Sequence, residues 1–192
     1  HMLDMIKPGL CEKDLQLELD YFMLKNGATG LAFETILAAG ANGSMPHAVP
    51  SMNVIKEGDF VTMDFGAAHN GYCSDMTRTV AVGKISEEQE KVYNLVLNAQ
   101  LAAIDAVKAG VPCNSIDAVA RDMIYGAGYE GKFGHGLGHS LGLEIHEKPR
   151  FSPLCSELTE AGIVEHIGRS KYVLARSLYS VAGKSGVHTR IV

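Results

Sequence analysis

Residues 134–147, GHGLGHSLGLEIHE, set three histidines and two glutamates within fourteen positions, in a chain that has eight histidines altogether. No catalytic serine or cysteine is obvious beside them. Three readings of His135, His139 and His146 are open: a glycine-rich turn that is also histidine-rich, imidazoles satisfied inside a core, or a metal site. The last has a chemical basis, because neutral imidazole is the commonest metal ligand among side chains. Acidic partners decide among the three, and they have to come from elsewhere in the chain.

The stretch DFVTMDFGAAHNGYCSDMTRTVAVG, residues 59–83, supplies them. Its apolar residues alternate, and Asn70-Gly71 is the strongest short hairpin signal a sequence offers. With those two as the turn, His69 faces Tyr72, Asp64 faces Thr77 and Gly66 faces Asp75. Asp64 and Asp75 then point to the same side of the ribbon, as diagonal neighbours about 7 Å apart. A one-residue slip would scatter them. The bland reading is a pair of solvated strand carboxylates, or Asp75 paired with Arg78. Against it stands the company of Val61, Met63, Phe65 and Met76, in strands where aspartate is depleted. Burying two like charges without a cation costs several kcal/mol. Paired carboxylates with imidazole suit Mn, Co, Fe or Zn better than a soft thiolate site would.

The elements that must position these residues are legible in outline. CEKDLQLELDYFMLKNG places Leu15, Leu19, Phe22 and Met23 on one helical face and stops at Asn26-Gly27. A second helix begins at Ser86 with Gln89 as its capping-box partner and carries Val92, Leu95, Val96 and Ala99 towards Gly110. A third runs from Ser115 through Ile116, Val119, Met123 and Ile124 to Gly126 and Gly128. Helix, strands, helices and glycine-rich strands in that order give an α/β or α+β fold in one domain. A chain of 192 residues, 46% hydrophobic and 20% charged, can bury a sizeable core. Its net charge of −5 argues against nucleic-acid or polybasic membrane partners. Cys11, Cys73, Cys113 and Cys155 stand singly, which suits reduced thiols and a cytoplasmic protein. The opening His1-Met2 reads as a cloning scar, leaving residues 3–192 as the domain.

SMPHAVPS, EGDFVTMDFGAAHNGYCSDMTRTVAVG and GHGLGHSLGLEIHEKP, in this order and spacing, resemble the pita-bread metallopeptidases. That group comprises methionine aminopeptidases, Xaa-Pro aminopeptidases and Xaa-Pro dipeptidases (prolidases). The likeness covers roughly residues 3 to 162, and SDMTRT with GHSLGLEIHE resembles the proline-specific members. It implies the pita-bread (creatinase/aminopeptidase) fold, of α+β class, and two divalent metal ions (Mn, Co or Zn). The implied reaction is hydrolysis of the peptide bond before proline by a hydroxide bridging the two ions. The implied partner is a peptide with proline in second position, with no nucleic acid and no membrane, and a homodimer is compatible with the family.

Residue by residue, the resemblance makes Asp64 and Asp75 metal ligands, with Asp75 bridging both ions, and His139 the ligating histidine. His146 matches a histidine that contacts substrate near the scissile carbonyl. His47, in MPHAVP, matches one lining the site, and His135 one near the pocket for the residue after the scissile bond. His69 and His188 read as surface residues.

The tail departs from the pattern. After LTEAGIV the family continues with a strand bearing a ligand Glu before Pro-Gly, and about fourteen residues later with Arg-Ile-Glu-Asp. Here the chain reads EHIGRSKYVLARSLYSVAGKSGVHTRIV, with no Glu-Pro-Gly and nothing acidic after Glu165. Residues 163–192 are therefore read as aberrant, and a frame-shifted 3′ end is a hypothesis that resequencing the gene tests. The separate N-terminal domain usual in proline-specific members is expected to be absent. The alternative function is a non-catalytic pita-bread module that binds peptides or proteins.

Overall fold

The computed structural model describes residues 1–159 and the backbone of a strand at 176–181. The chain divides into two compact units, His1–Glu90 with Arg176–Val192, and Lys91–Ala175.

The first unit is helices on a sheet. A short helix α1 (Met2–Met5) precedes α2 (Glu12–Lys25), whose Leu15 and Leu19 are buried as the apolar period requires. Met23 joins them at the core edge, whereas Phe22 turns outward and stacks on His1 with ring centroids 4.3 Å apart. Residues 1 and 2 thus take part in the fold: Met2 packs in the core, and His1 Nε2 lies 2.7 Å from Glu18. Strands β1 (Gly30–Leu31) and β2 (Ile36–Ala39) follow, then a 3-10 turn, Gly40–Ser44.

The hairpin comes next, as β3 (Phe60–Phe65), β4 (Ala67–His69), β5 (Tyr72–Cys73) and β6 (Met76–Val82). The order β2-β3-β6 is antiparallel, and β9 (Arg176–Val181) adds in parallel beside β6. A smaller sheet has the order β1-β4-β5. Leu37, Ala39, Val61, Met63, Val80 and Val82 face one way and pack with Leu15, Leu19, Ile6 and Ile55 into one core.

The second unit holds most of α3 (Glu87–Ala106), then α4 (Cys113–Gly126), β7 (Gly138–Ser140) and β8 (Glu147–Phe151). The Ser86–Gln89 box forms as its sequence implies: Gln89 N–H donates to Ser86 Oγ at 3.2 Å, and Ser86 N–H to Gln89 Oε1 at 2.9 Å. Helix α3 ends at Ala106 rather than reaching Gly110, because residues 110–114 pair instead with 155–159. Thr159 N–H donates to Val111 O, Cys113 N–H to Glu157 O and Asn114 N–H to Cys155 O. That pairing satisfies the first amides of α4, so the helix begins at Cys113, two residues before the expected start. Ile116, Ala120 and Ile124 pack with Ala99, Ala103 and Phe151. Met123 is exposed, and the buried face runs through Asp117 instead.

Candidate metal and peptide site

The aspartate ribbon adopts the register its turn implies. Asn70 and Gly71 both have positive φ, 51° and 81°, as a type I′ turn needs. His69 pairs with Tyr72, Ala68 with Cys73, Phe65 with Met76 and Asp64 with Thr77. Between these ladders the hairpin is interrupted, so that four short strands replace the two long ones. The cause is Gly66: a Cβ there would stand 2.0 Å from Ser74 O and 2.7 Å from the Phe33 ring. Ser74 takes over the pairing, its N–H donating to Ala67 O and its Oγ accepting from Ala67 N–H, both at 2.9 Å. Gly66 and Asp75 therefore face each other across a break rather than within a ladder.

On β3, Val61 and Met63 are buried against α2, so Thr62 and Asp64 occupy the other face of the sheet. That face carries a polar ladder: Thr62 and Thr79 hydroxyls lie 3.1 Å apart, and Thr77 Oγ1 donates to Asp64 Oδ1 at 2.6 Å. The hydroxyl orients the carboxylate, as outer hydrogen bonds commonly orient metal ligands. Asp64 and Asp75 are both half-buried. His47 lies on an exposed turn of the same unit.

That turn is held by a residue that belongs to none of the three motifs. Glu12, the first residue of α2, is fully buried, and its carboxylate accepts hydrogen bonds from four surrounding residues. Ala39 N–H and Asn53 Nδ2 donate to Oε1 at 2.8 and 2.9 Å; Ser51 N–H and Oγ donate to Oε2 at 3.1 and 2.8 Å. Asn42 Nδ2 reaches Oε1 at 3.0 Å. Burial pushes the carboxyl pKa up, but the bonds from Asn53, the Ala39 amide, Ser51 and Asn42 outweigh it and hold it below its usual value of 4.5. Glu12 so gathers both ends of the segment 39–53 that carries His47. A glutamate at a helix start reads as an ordinary dipole partner, and nothing local in the sequence marks it as buried.

In the second unit His139 sits in β7, half-buried, opposite Arg150. Its Nδ1 donates to Ser140 O at 3.0 Å, so in the neutral ring Nε2 carries the lone pair. The His146 ring is 4.5 Å away, centroid to centroid, inclined at 60°. His135 is exposed; its Nδ1 donates to Gly136 O at 2.7 Å, and its ring stands edge-on to Phe133 at 5.1 Å. Two glycines of the motif are crowded by this chain's own atoms. A Cβ at Gly136 would meet Phe151 O at 2.9 Å, and one at Gly142 the Glu147 carboxylate at 2.8 Å. Their smallness is thus required by packing, whatever else approaches.

Within neither unit do the described residues bring three or more His, Cys, Asp and Glu side chains together as an ion site. The donor chemistry nevertheless fits a divalent ion. The first unit offers a carboxylate set by a hydroxyl, and the second, separately, an imidazole whose other nitrogen is bound to a backbone carbonyl, as is usual for a ligating histidine. Glu165 lies outside the described residues, as does most of the tail at 163–192, including His188. His69 is exposed and spends Nδ1 on Gly27 O at 2.9 Å. Among the described residues no helix is long and apolar enough to cross a membrane.

The model of metallopeptidase family M24 matches residues 1–189. The Xaa-Pro dipeptidase of Pyrococcus furiosus is 40% identical over 171 residues, 89% of this chain and 49% of that protein. A solved Xaa-Pro dipeptidase from Bacillus anthracis superposes with a TM-score of 0.80 at 47% identity, covering 82% of this chain and 44% of the other. An X-Pro aminopeptidase structure from Thermotoga maritima gives 0.79 at 42% identity, over 83% and 45%. The chain spans about half the length of the curated relatives it matches.

Proposed function

Because this chain belongs to metallopeptidase family M24 and shares the α+β pita-bread fold of its solved neighbours, we propose that it derives from a metal-dependent Xaa-Pro peptidase. In this reading residues 3–192 form the catalytic domain, acting on peptides with proline in second position, in the cytoplasm. Asp64, Asp75 and His139 hold divalent ions (Mn, Co or Zn); His146, His47 and His135 face the substrate. The observation that supports the reading most is the hairpin register, which pairs Asp64 with Thr77 on the sheet face away from the core; Asp75 lies just beyond that ladder.

When bound, the ions supply Lewis acidity and ionise a water near neutral pH. The chain's own residues do the rest. Thr77 holds the Asp64 carboxylate in one orientation. Ser140 O keeps the Nδ1 proton of His139, presenting Nε2. His146, beside His139, donates to the carbonyl oxygen as it gains charge. Glu12 steadies the segment on which His47 is carried.

One observation favours a second reading for this particular chain. Nothing acidic follows Glu165, whereas two further glutamate ligands are expected of an active member. Such a chain would serve as a non-catalytic peptide-binding module, with or without a dimer partner. Titration with manganese, cobalt or zinc, followed by assay on an Xaa-Pro dipeptide and a longer Xaa-Pro peptide, separates the two. We expect weak binding of about one ion and negligible turnover, since loss of base and second ion each removes orders of magnitude in rate. Two tightly bound ions with robust turnover would show that the tail supplies the missing ligands.

A further inference from the structure

The second unit contains a buried ion pair that the peptidase reading does not use. Asp117, on α4, has a side chain only 1% exposed, and Arg121 one turn later is 15% exposed. Arg121 Nε and Nη2 donate to the two Asp117 oxygens at 2.7 and 2.9 Å. A buried pair of this kind is weak grounds for stability by itself, since apolar residues of similar volume often serve as well. What distinguishes this one is where the remaining donors go. Nη2 also donates to His135 O at 2.8 Å, and Nη1 donates to Phe133 O at 2.6 Å and reaches Tyr125 Oη at 3.5 Å. Asp117 Oδ1 in turn accepts from Leu137 N–H at 2.9 Å.

One helical side-chain pair therefore ties down the backbone at 133, 135 and 137, alternate residues of the segment leading into β7. The far side of the same segment is fixed by β8, through the close approach of Gly136 to Phe151 O and the pairing of Gly138 with Phe151. The rings are linked to the clamp as well. The guanidinium carbon lies 4.3 Å from the Phe133 ring centroid, and Phe133 abuts the edge of His135. His139 follows Leu137 by two residues.

We propose that Arg121, held by Asp117, is a positioning residue for the histidine segment, fixing the backbone from which His135 and His139 project. The inference rests on the reading of those two histidines as site residues. The geometry demands a guanidinium: five N–H groups in a planar fork reach two carboxylate oxygens, two carbonyls and a phenol. A lysine ammonium has three donors on one atom and cannot span them.

The test compares the full chain with Arg121→Met and Arg121→Lys, following the imidazole nitrogens of His135 by long-range proton–nitrogen NMR and the Leu137 amide by hydrogen exchange. Arg121→Met should speed Leu137 exchange at least about tenfold and shift His135 from the Nδ1–H tautomer towards the mixture of a free imidazole, with amide protection in β3 and β6 unchanged. Arg121→Lys, which keeps the charge beside Asp117, should give intermediate values. Unchanged Leu137 exchange and unchanged His135 signals in Arg121→Met would overturn the role. If that variant fails to fold, wild-type signals in Arg121→Lys would overturn it. A cobalt titration separates this from the reading beneath it. Affinity should fall about tenfold in Arg121→Met, whereas a wild-type chain that binds no cobalt overturns the metal reading and leaves the NMR result to judge Arg121.

Discussion

Replacing Glu12 by glutamine exchanges one buried oxygen for an NH2 group and leaves volume and shape alone. All the groups around that carboxylate are donors. In one amide orientation the new NH2 faces Ala39 N–H; in the other it faces Ser51 N–H. Neither backbone group can rotate away, so one loses its acceptor either way: the buried Ala39 amide or the partly buried Ser51 amide, at about 1–3 kcal/mol. The remaining bonds lose their charge assistance, roughly another 1 kcal/mol. The expected loss is about 2–4 kcal/mol, or some 1–2 M in urea midpoint for ordinary slopes. The pH dependence has a definite sign. A carboxyl whose folded pKa is lowered contributes stability that is full above its unfolded value near 4.5 and is lost as pH falls through the folded value. The gap between wild type and Glu12→Gln should therefore be complete at pH 7 and shrink below pH 4.5. Equilibrium urea unfolding at the two pH values measures it. Midpoints within about 0.2 M of each other at pH 7 would refute the account, as would a gap that widens in acid.

Three further outcomes are expected. Gly66→Ala should cost about 3 kcal/mol or more, because its Cβ meets the Ser74 carbonyl, whereas Gly71→Ala, with nothing within 4 Å but a positive φ, should cost about 1 kcal/mol; thermal unfolding of both variants ranks them. In an intact homologue the change equivalent to His146→Ala should lower kcat far more than metal content, and that equivalent to His139→Ala should empty the site; elemental analysis beside kinetics distinguishes them. Burial, with a contribution from Cys155, pushes the Cys113 thiol up to about 11, so at pH 8 only about one in a thousand is thiolate, and a disulfide reagent should modify half-buried Cys73 well before it.

Local chemistry by itself determines a good deal of this protein. Asn70-Gly71 set the turn, the turn set the pairing of Asp64 with Thr77, and strand alternation put that carboxylate away from Val61 and Met63. Ser86 and Gln89 set the start of α3, and the period of Leu15 and Leu19 set the buried face of α2. Each of these depends on residues within a few positions of one another. Long-range pairing decided what the sequence left open. Residues 155–159 end α3 early and start α4 early by competing for its terminal hydrogen bonds. Ser74 breaks the hairpin at Gly66, because two backbones approach where no Cβ fits. Glu12 and Asp117 look like solvated helix carboxylates in the chain, although the burial of 113, 116, 120 and 124 by period already puts position 117 on an inward face. Only the fold brings them their donors, from 27 to 41 positions away for Glu12 and 20 for the Leu137 amide on Asp117. The period of a helix can turn a carboxylate inward, but which distant amides arrive to meet it is decided only by the fold, and no periodicity carries that information.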